Sequence, residues 1–456
     1  MLVRQLYRTG GILAAGRVIN IFTQFAFSAI IVRALLKQDV AFFLLTFNLV
    51  SFLSLMVAFG AANIAIRKFS EVINNDVSVS SKNLLIAFLS LNLLTTLFVV
   101  LFFLCLVFFN IITQFKLEFN LFHSVLIVIW FWAIGLQLIL TEVFRAFGLF
   151  VTTSAVSGVI VNVANLFLIG AFFLVEQNLT LELTLFTVTI NTLVVTIISL
   201  LSAFRICDRF DIKNLGFTSS IEAKSIFKLS KEVFKESTPS FVNKLGLQFT
   251  VLADIWLVSL FYSKAVVADY GIAMKLAASL SVFLSISNGL VPTFIARLRK
   301  DMSEQVEAFL RVLATIVAIP TFIFGALFYM YSDIIIEVIF GVEYITATYF
   351  LYILLSAQII NVSVGSCSYA LVMDGRNRQL MNISLVTGGA AIFMAVLCVS
   401  LGLGSISIAW AFALGTIARN ILVYLAAKKI CGIDTSIYYN YKSFLKNYRL
   451  IFSKSN

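Results

Sequence analysis

Histidine is almost missing from this sequence: His123 is the single example in 456 residues. The five cysteines stand far apart, at 105, 207, 367, 398 and 431. Such a set builds neither a metal cluster nor a disulfide framework, so no metal and no cofactor is expected. Charged residues make up 12% of the chain, where soluble domains carry about 25%. Acids are the scarcer sign, 22 against 33 Lys and Arg. Of three prolines, Pro320 falls inside an expected helix and Pro292 near the end of another, where each reads as a static kink. No polar stretch is long enough for a catalytic or nucleotide-binding domain, so an enzyme is not expected. Gly11 and Gly16 have the spacing of a phosphate loop, but Arg17 and Val18 follow instead of lysine and a hydroxyl residue.

Apolar surface is what the chain has in excess. It is 61% hydrophobic with a mean hydropathy of +1.03. That excludes a soluble protein and predicts an all-α polytopic membrane protein. Breaks at charged, Gly and Asn positions predict twelve spans: 10–36, 40–62, 83–110, 121–141, 151–175, 184–204, 237–261, 267–293, 309–330, 347–372, 379–401 and 405–427. The first apolar run carries Arg17 and continues to residue 36, which reads as a retained helix rather than a cleaved leader. Assigning loops to alternate sides puts 25 Lys and Arg on one side and four on the other. That asymmetry predicts that both termini are cytoplasmic.

The expected organisation is a six-helix bundle (1–204), a cytoplasmic basic linker (205–236), a second six-helix bundle (237–427) and a cytoplasmic basic and aromatic tail (428–456). In the linker Lys224, Lys228, Lys231 and Lys235 share one helical face, while Ile226, Leu229 and Val233 lie on another. This pattern predicts an amphipathic helix on the anionic leaflet, or a solvated linker. Segments 32–45 and 258–272 repeat one plan weakly: an outer helix end, a Lys-containing turn, then an aromatic. Matching halves with a site between them are a common transporter design.

Polar residues inside spans are costly and usually face a bundle interior or a wet cavity. Arg17, Asn20, Gln24 and Ser28 form one stripe on the first helix. Looser stripes run through Ser154, Ser157, Asn162 and Asn165, and through Thr184, Thr187 and Asn191. Each single residue reads equally as hydrogen-bond glue between helices; together they favour a hydrated cavity. Arg17, Lys244 and Arg419 each lie about 10–12 Å from the cytoplasmic edge of their spans, at 1.5 Å per residue. Three cations at one depth suggest an anion site, against separate snorkelling. Asp254 and Lys275 fall at matching depths on adjacent helices. They are expected either to form a permanent ion pair or to exchange a coupling ion as the cavity changes face.

Four segments resemble the polysaccharide flippases of the multidrug/oligosaccharidyl-lipid/polysaccharide (MOP) superfamily, of the Wzx O-antigen type. IIVRALLKQDVAFFLL (30–45) is similar to the run before the family's second helix, although Leu36 and Ala41 stand where glycines are usual. LADIWLVSLFYSKAVVADYGIAMKLA (252–277) resembles its aspartate-bearing seventh helix and Tyr-Gly turn. LVPTFIARLRK (290–300) resembles its eighth-helix exit, and IIEVIFGVEYITATYFLYIL (335–354) its Phe-Gly-x-x-Tyr segment.

The resemblance implies a V-shaped pair of six-helix bundles in a bacterial inner membrane. It implies translocation of an undecaprenyl-pyrophosphate-linked oligosaccharide, such as an O-antigen repeat unit, by alternating access coupled to H+ or Na+. Arg17, Asn20, Gln24, Lys244 and Arg419 are then the candidate pyrophosphate and glycan ligands. Asp254 and Lys275 are the candidate coupling residues. A polysaccharide polymerase and a chain-length regulator are candidate partners. Three alternatives stay open: a multidrug or cation antiporter of the same superfamily, which calls for an acidic cavity, a membrane polymerase or ligase, which calls for a larger outer loop, and a scaffold without transport, against which the intramembrane charges argue.

Overall fold

The computed structural model describes residues 2–74, 80–175, 179–215, 223–295, 303–438 and 440–452. The centre of the basic segment at 216–222, the side chain of Lys224, and Tyr439 in the tail lie outside that description. All regular structure among the described residues is helical. In chain order the helices are α1 (Leu2–Ala34), α2 (Lys37–Ala58), α3 (Ala61–Ile73), α4 (Ser81–Phe108), α5 (Leu121–Ala146) and α6 (Phe150–Ser154). A π turn (Ala155–Val159) leads into α7 (Ile160–Val175), followed by α8 (Leu181–Leu215) and α9 (Ala223–Phe261). Then come α10 (Lys264–Ile295), α11 (Ser303–Met330), α12 (Ser332–Ile339), α13 (Ala347–Ser363) and α14 (Cys367–Met373). Last are α15 (Asn377–Ser400), α16 (Ile406–Ile430) and α17 (Tyr441–Phe452).

Eleven stretches among the described residues are long and apolar enough to cross a bilayer, and α13 is a shorter apolar helix. α4 shows why the bilayer is required. Leu93, Leu94, Leu97, Phe98 and Leu101 are each 58–65% exposed on its outer face. Water would penalise a surface of that kind, and hydrocarbon does not. The protein is thus a multi-pass membrane protein, as the composition predicts. Two expected spans are interrupted. The stretch 151–175 contains the π turn. The stretch 347–372 breaks between α13 and α14, where the chain after α16 crosses it: Thr435 Oγ1 donates to the Val364 carbonyl at 2.7 Å and the Ile437 amide to the Ser363 carbonyl at 3.2 Å.

The chain forms two compact units, Met1–Phe249 and Thr250–Asn456, whose boundary falls inside α9. In the first unit the Lys/Arg-rich ends of the helices carry their own core. Phe69, Leu85, Phe88, Phe144, Cys207 and Val233 are buried together there. The α9 face around Val233 therefore packs on protein, where the sequence alone suggested lipid. Ser230 bonds Ser90 on α4 at 2.8 Å, and Lys68 pairs with Glu236 at 3.1 Å. Arg67 also reaches Glu236. Phe59 stacks on Phe234 and Phe241, with ring centroids 4.9 and 4.4 Å apart. Lys228, Lys231 and Lys235 stay exposed on the other side of α9.

Asp211 fixes the start of α4 in the same region. It is 2% exposed and accepts four hydrogen bonds. They come from the amides of Ser81 (2.9 Å) and Lys82 (3.1 Å) and from the hydroxyls of Ser80 (2.6 Å) and Ser81 (2.8 Å). A carboxylate there satisfies helix-terminal donors and faces the positive end of the helix dipole. Asp211→Ala would bury those donors without an acceptor, at a cost of about 2–4 kcal/mol. Melting of the purified protein in detergent is expected to fall by several degrees; an unchanged midpoint would contradict this role.

In the second unit the segment after α16 is strapped to α11. Arg311 lies 4.3 Å over the Tyr438 ring, and the Tyr438 amide donates to Thr315 Oγ1 at 2.9 Å. Burial works against ionised Asp434. Bonds from the Ser436 hydroxyl and amide and from Lys428, with the charge of Arg311, outweigh it and hold the carboxyl below its ordinary pKa.

Candidate functional site

In the first unit, α1 presents Arg17 and Gln24 as exposed side chains and Asn20 as a half-buried one. Asn20 meets the π turn and α7. Asn162 Nδ2 donates to Asn20 Oδ1 at 2.7 Å. The contact depends on Gly158, whose φ of 122° interrupts the helix. A Cβ on Gly158 would stand 3.1 Å from Asn20 Oδ1, so any larger residue would press on the amide and strain the backbone. π turns inside helices are frequent at functional sites.

A second amide pair lies deeper in the same unit. Asn191 Nδ2 donates to Asn165 Oδ1 at 2.7 Å, and Asn165 is 2% exposed. Gln137 Nε2 donates to Thr196 Oγ1 at 2.9 Å. These contacts join α5, α7 and α8 with neutral polar groups.

Lys244 Nζ donates to Asn63 Oδ1 at 3.0 Å, and Asn63 Nδ2 donates to Ser240 Oγ at 3.0 Å. The lysine is thus held on α9 by a residue of α3. Arg419 Nε donates to Ser384 Oγ of α15 at 2.8 Å, in the second unit. Arg17 lies seventeen residues before the end of α1, and Lys244 seventeen before the end of α9. At 1.5 Å per residue each is about 26 Å from the C-terminal end of its helix, and Arg419, thirteen residues into α16, about 20 Å from the N-terminal end of its own.

Asp254 is 7% exposed. Tyr270 donates its hydroxyl to Oδ2 at 3.1 Å, and the Ile255 amide donates to Oδ1 at 2.7 Å. No ion pair between Asp254 and Lys275 occurs among the described residues. The reason is register. Asp254 stands seven residues before the end of α9, and Lys275 eleven after the start of α10. The difference is about 6 Å along the hairpin. Counting outward from the turn brings Tyr270 opposite Asp254; an expected α10 start at 267 instead of Lys264 hid this.

The structure therefore joins Asn20 to Asn162, neither an obvious pair by spacing, and gives Asp254 a tyrosine partner. It keeps Arg17, Asn20, Gln24 and Lys244 in one unit and Asp254, Lys275 and Arg419 in the other. No group of three or more His, Cys, Asp or Glu able to hold a metal occurs among the described residues.

No protein-family model matches the chain. A curated relative, the probable low-salt glycan biosynthesis flippase Agl15 of Haloferax volcanii, is 27% identical over 203 residues, 42% of either chain. The chain thus aligns with less than half the length of that relative. Solved structures match over nearly the whole length. The lipid II flippase MurJ in an inward closed conformation gives a TM-score of 0.67 at 16% identity, covering 97% of this chain and 90% of its own. An inward-facing multidrug resistance MATE transporter of the MOP superfamily gives 0.67 at 13%, covering 91% and 97%. The eukaryotic MATE transporter AtDTX14 gives 0.60 at 14%, covering 98% and 99%. At these identities the likeness is one of fold: the chain has the fold of the MOP transporters.

Proposed function

We propose that this chain, built on the MOP transporter fold, is a flippase for a lipid-linked oligosaccharide, carried on undecaprenyl pyrophosphate in a bacterial inner membrane. The observation that carries the reading is the chemistry of the first unit's spans. Neutral amides at Asn20 and Asn162 accompany the cations Arg17 and Lys244. Amides suit glycan hydroxyls, and cations suit a pyrophosphate. Two cations against one acid, Glu142, whose charge acts on Lys244, disfavour a hydrophobic cation there, which sets the multidrug reading second despite the MATE likeness. The glycan flippase relative supports the same choice.

In this reading Arg17, Lys244 and Arg419 meet the anionic head during passage, Asn20 and Gln24 meet sugar, and Asp254, with Lys275 near its helix, takes up and releases the coupling H+ or Na+. The chain performs no covalent chemistry. Six spans lie on either side of the basic 205–236 segment, which, with the 428–456 tail and both termini, is cytoplasmic. Reporter fusions at residue 220 and at either end should read inside; an outside signal at 220 overturns that topology. The function is tested with purified protein in liposomes holding a fluorescent undecaprenyl-pyrophosphate glycan. Translocation should expose the glycan to an external lectin. Export of lipophilic cations without glycan movement would favour the antiporter.

A further inference from the structure

The two amide pairs of the first unit differ in a way that glue between helices does not explain. In Asn191–Asn165 one member, Asn165, is 2% exposed and the other is half-buried. Asn20–Asn162 is half-buried on both sides and opens beside exposed Ser157 and Gln24. A primary amide offers two N–H donors and two acceptor lone pairs. The bond between Asn162 Nδ2 and Asn20 Oδ1 uses one of each. Asn20 Nδ2 and Asn162 Oδ1 make no further hydrogen bond among the described residues, and neither is a sealed, unsatisfied atom. The pair therefore presents a donor and an acceptor along one edge. Gly158 keeps that edge in place, since a side chain at its φ of 122° would push on Asn20. The Ser157 hydroxyl, turned back to the Ser154 carbonyl at 2.9 Å, retains its acceptor lone pairs beside the turn.

We infer that the Asn20–Asn162 edge at the π turn is a sugar-recognition subsite, taking one ring substituent that both donates and accepts: an acetamido group in preference to a hydroxyl. The inference rests on the glycan-flippase reading and adds Asn162 and Gly158 to its residues. An acetamido group carries one N–H and one carbonyl, the complement of the edge. A ring hydroxyl matches it less completely, so the subsite selects between sugars as well as holding them.

The test uses full-length protein in liposomes and two probes, undecaprenyl-pyrophosphate disaccharides whose first sugar is N-acetylglucosamine or glucose. Asn162→Ala and Asn20→Ala are compared with wild type, with Asn165→Ala, at the buried member of the other pair, as the control. Each open-edge variant should raise KM for the acetamido probe about tenfold, the worth of one hydrogen bond to a bound group. It should narrow the preference between probes and leave the maximal rate and melting midpoint near wild type. Asn165→Ala should lower the midpoint without changing the preference. Equal loss for both probes, or a loss that follows the midpoint, would make the open pair structural and overturn the subsite while the flippase reading stands. Wild-type protein that moves neither probe, nor lipid-linked glycan extracted from cells, would overturn the flippase reading itself.

Discussion

Arg17→Ala is expected to abolish surface glycan in cells that depend on this chain, at a normal protein level. The residue is exposed on α1, one turn before Asn20, so charge and amide share a stripe. An arginine within a membrane span is unfavourable by about 2.5–3.5 kcal/mol on insertion scales. Attraction to a pyrophosphate would offset that cost. At an effective dielectric near 20, a cation about 4 Å from a unit anion contributes about 4 kcal/mol before desolvation. If half is cancelled, about 2 kcal/mol remains, more than a tenfold change in capture. Arg17→Lys should rescue in part, since the charge persists and the planar fork is lost. Flux through liposomes at limiting substrate, compared across the three proteins, is the measurement. Arg17→Ala with normal flux would remove Arg17 from the site.

The spans were legible because hydrocarbon imposes about 20 apolar residues per crossing, whatever packs beside them. Helix interruptions were not, because their causes lie elsewhere in the chain. The break after α13 comes from bonds to Thr435 and Ile437, and the π turn is fitted against Asn20 of α1. Partners of charged side chains were equally hidden. Lys244 finds Asn63, 181 positions away, and Asp211 finds Ser80 and Ser81. Helical periodicity ranks faces; it does not say which face meets which. The lysines of α9 illustrate the limit. Their spacing marks one exposed face, while nothing in the sequence pattern shows that Glu232 and Glu236 hold the same helix to α3. Asp254 is legible because one acid deep in an apolar run is conspicuous; its tyrosine partner is not, because it depends on α10 starting at Lys264, three residues before the start its apolar pattern suggests.

Asp254→Asn is expected to leave the protein folded and to reduce gradient-driven transport at least tenfold. The substitution keeps the shape. An amide oxygen can still accept from Ile255, and the amide nitrogen can donate to the Tyr270 hydroxyl, which now serves as acceptor. The buried contacts are thus conserved in number, and the melting midpoint should move by only a few degrees. What is lost is the ability to carry a negative charge and to surrender it. A carboxylate in a span that only glues helices together would not need that ability, and asparagine would replace it with little loss of flux. A carboxylate that binds a coupling ion on one side and releases it on the other cannot be replaced by a permanently neutral amide. Tyr270→Phe separates the two further: it deletes one donor and leaves the acid ionisable, so transport should persist with an altered pH profile. The decisive comparison is flux with and without an imposed ion gradient. Wild type should respond to the gradient, Tyr270→Phe should respond with its profile displaced, and Asp254→Asn should not respond at all. An Asp254→Asn protein that responds like wild type would make the buried acid a structural element of the α9–α10 hairpin.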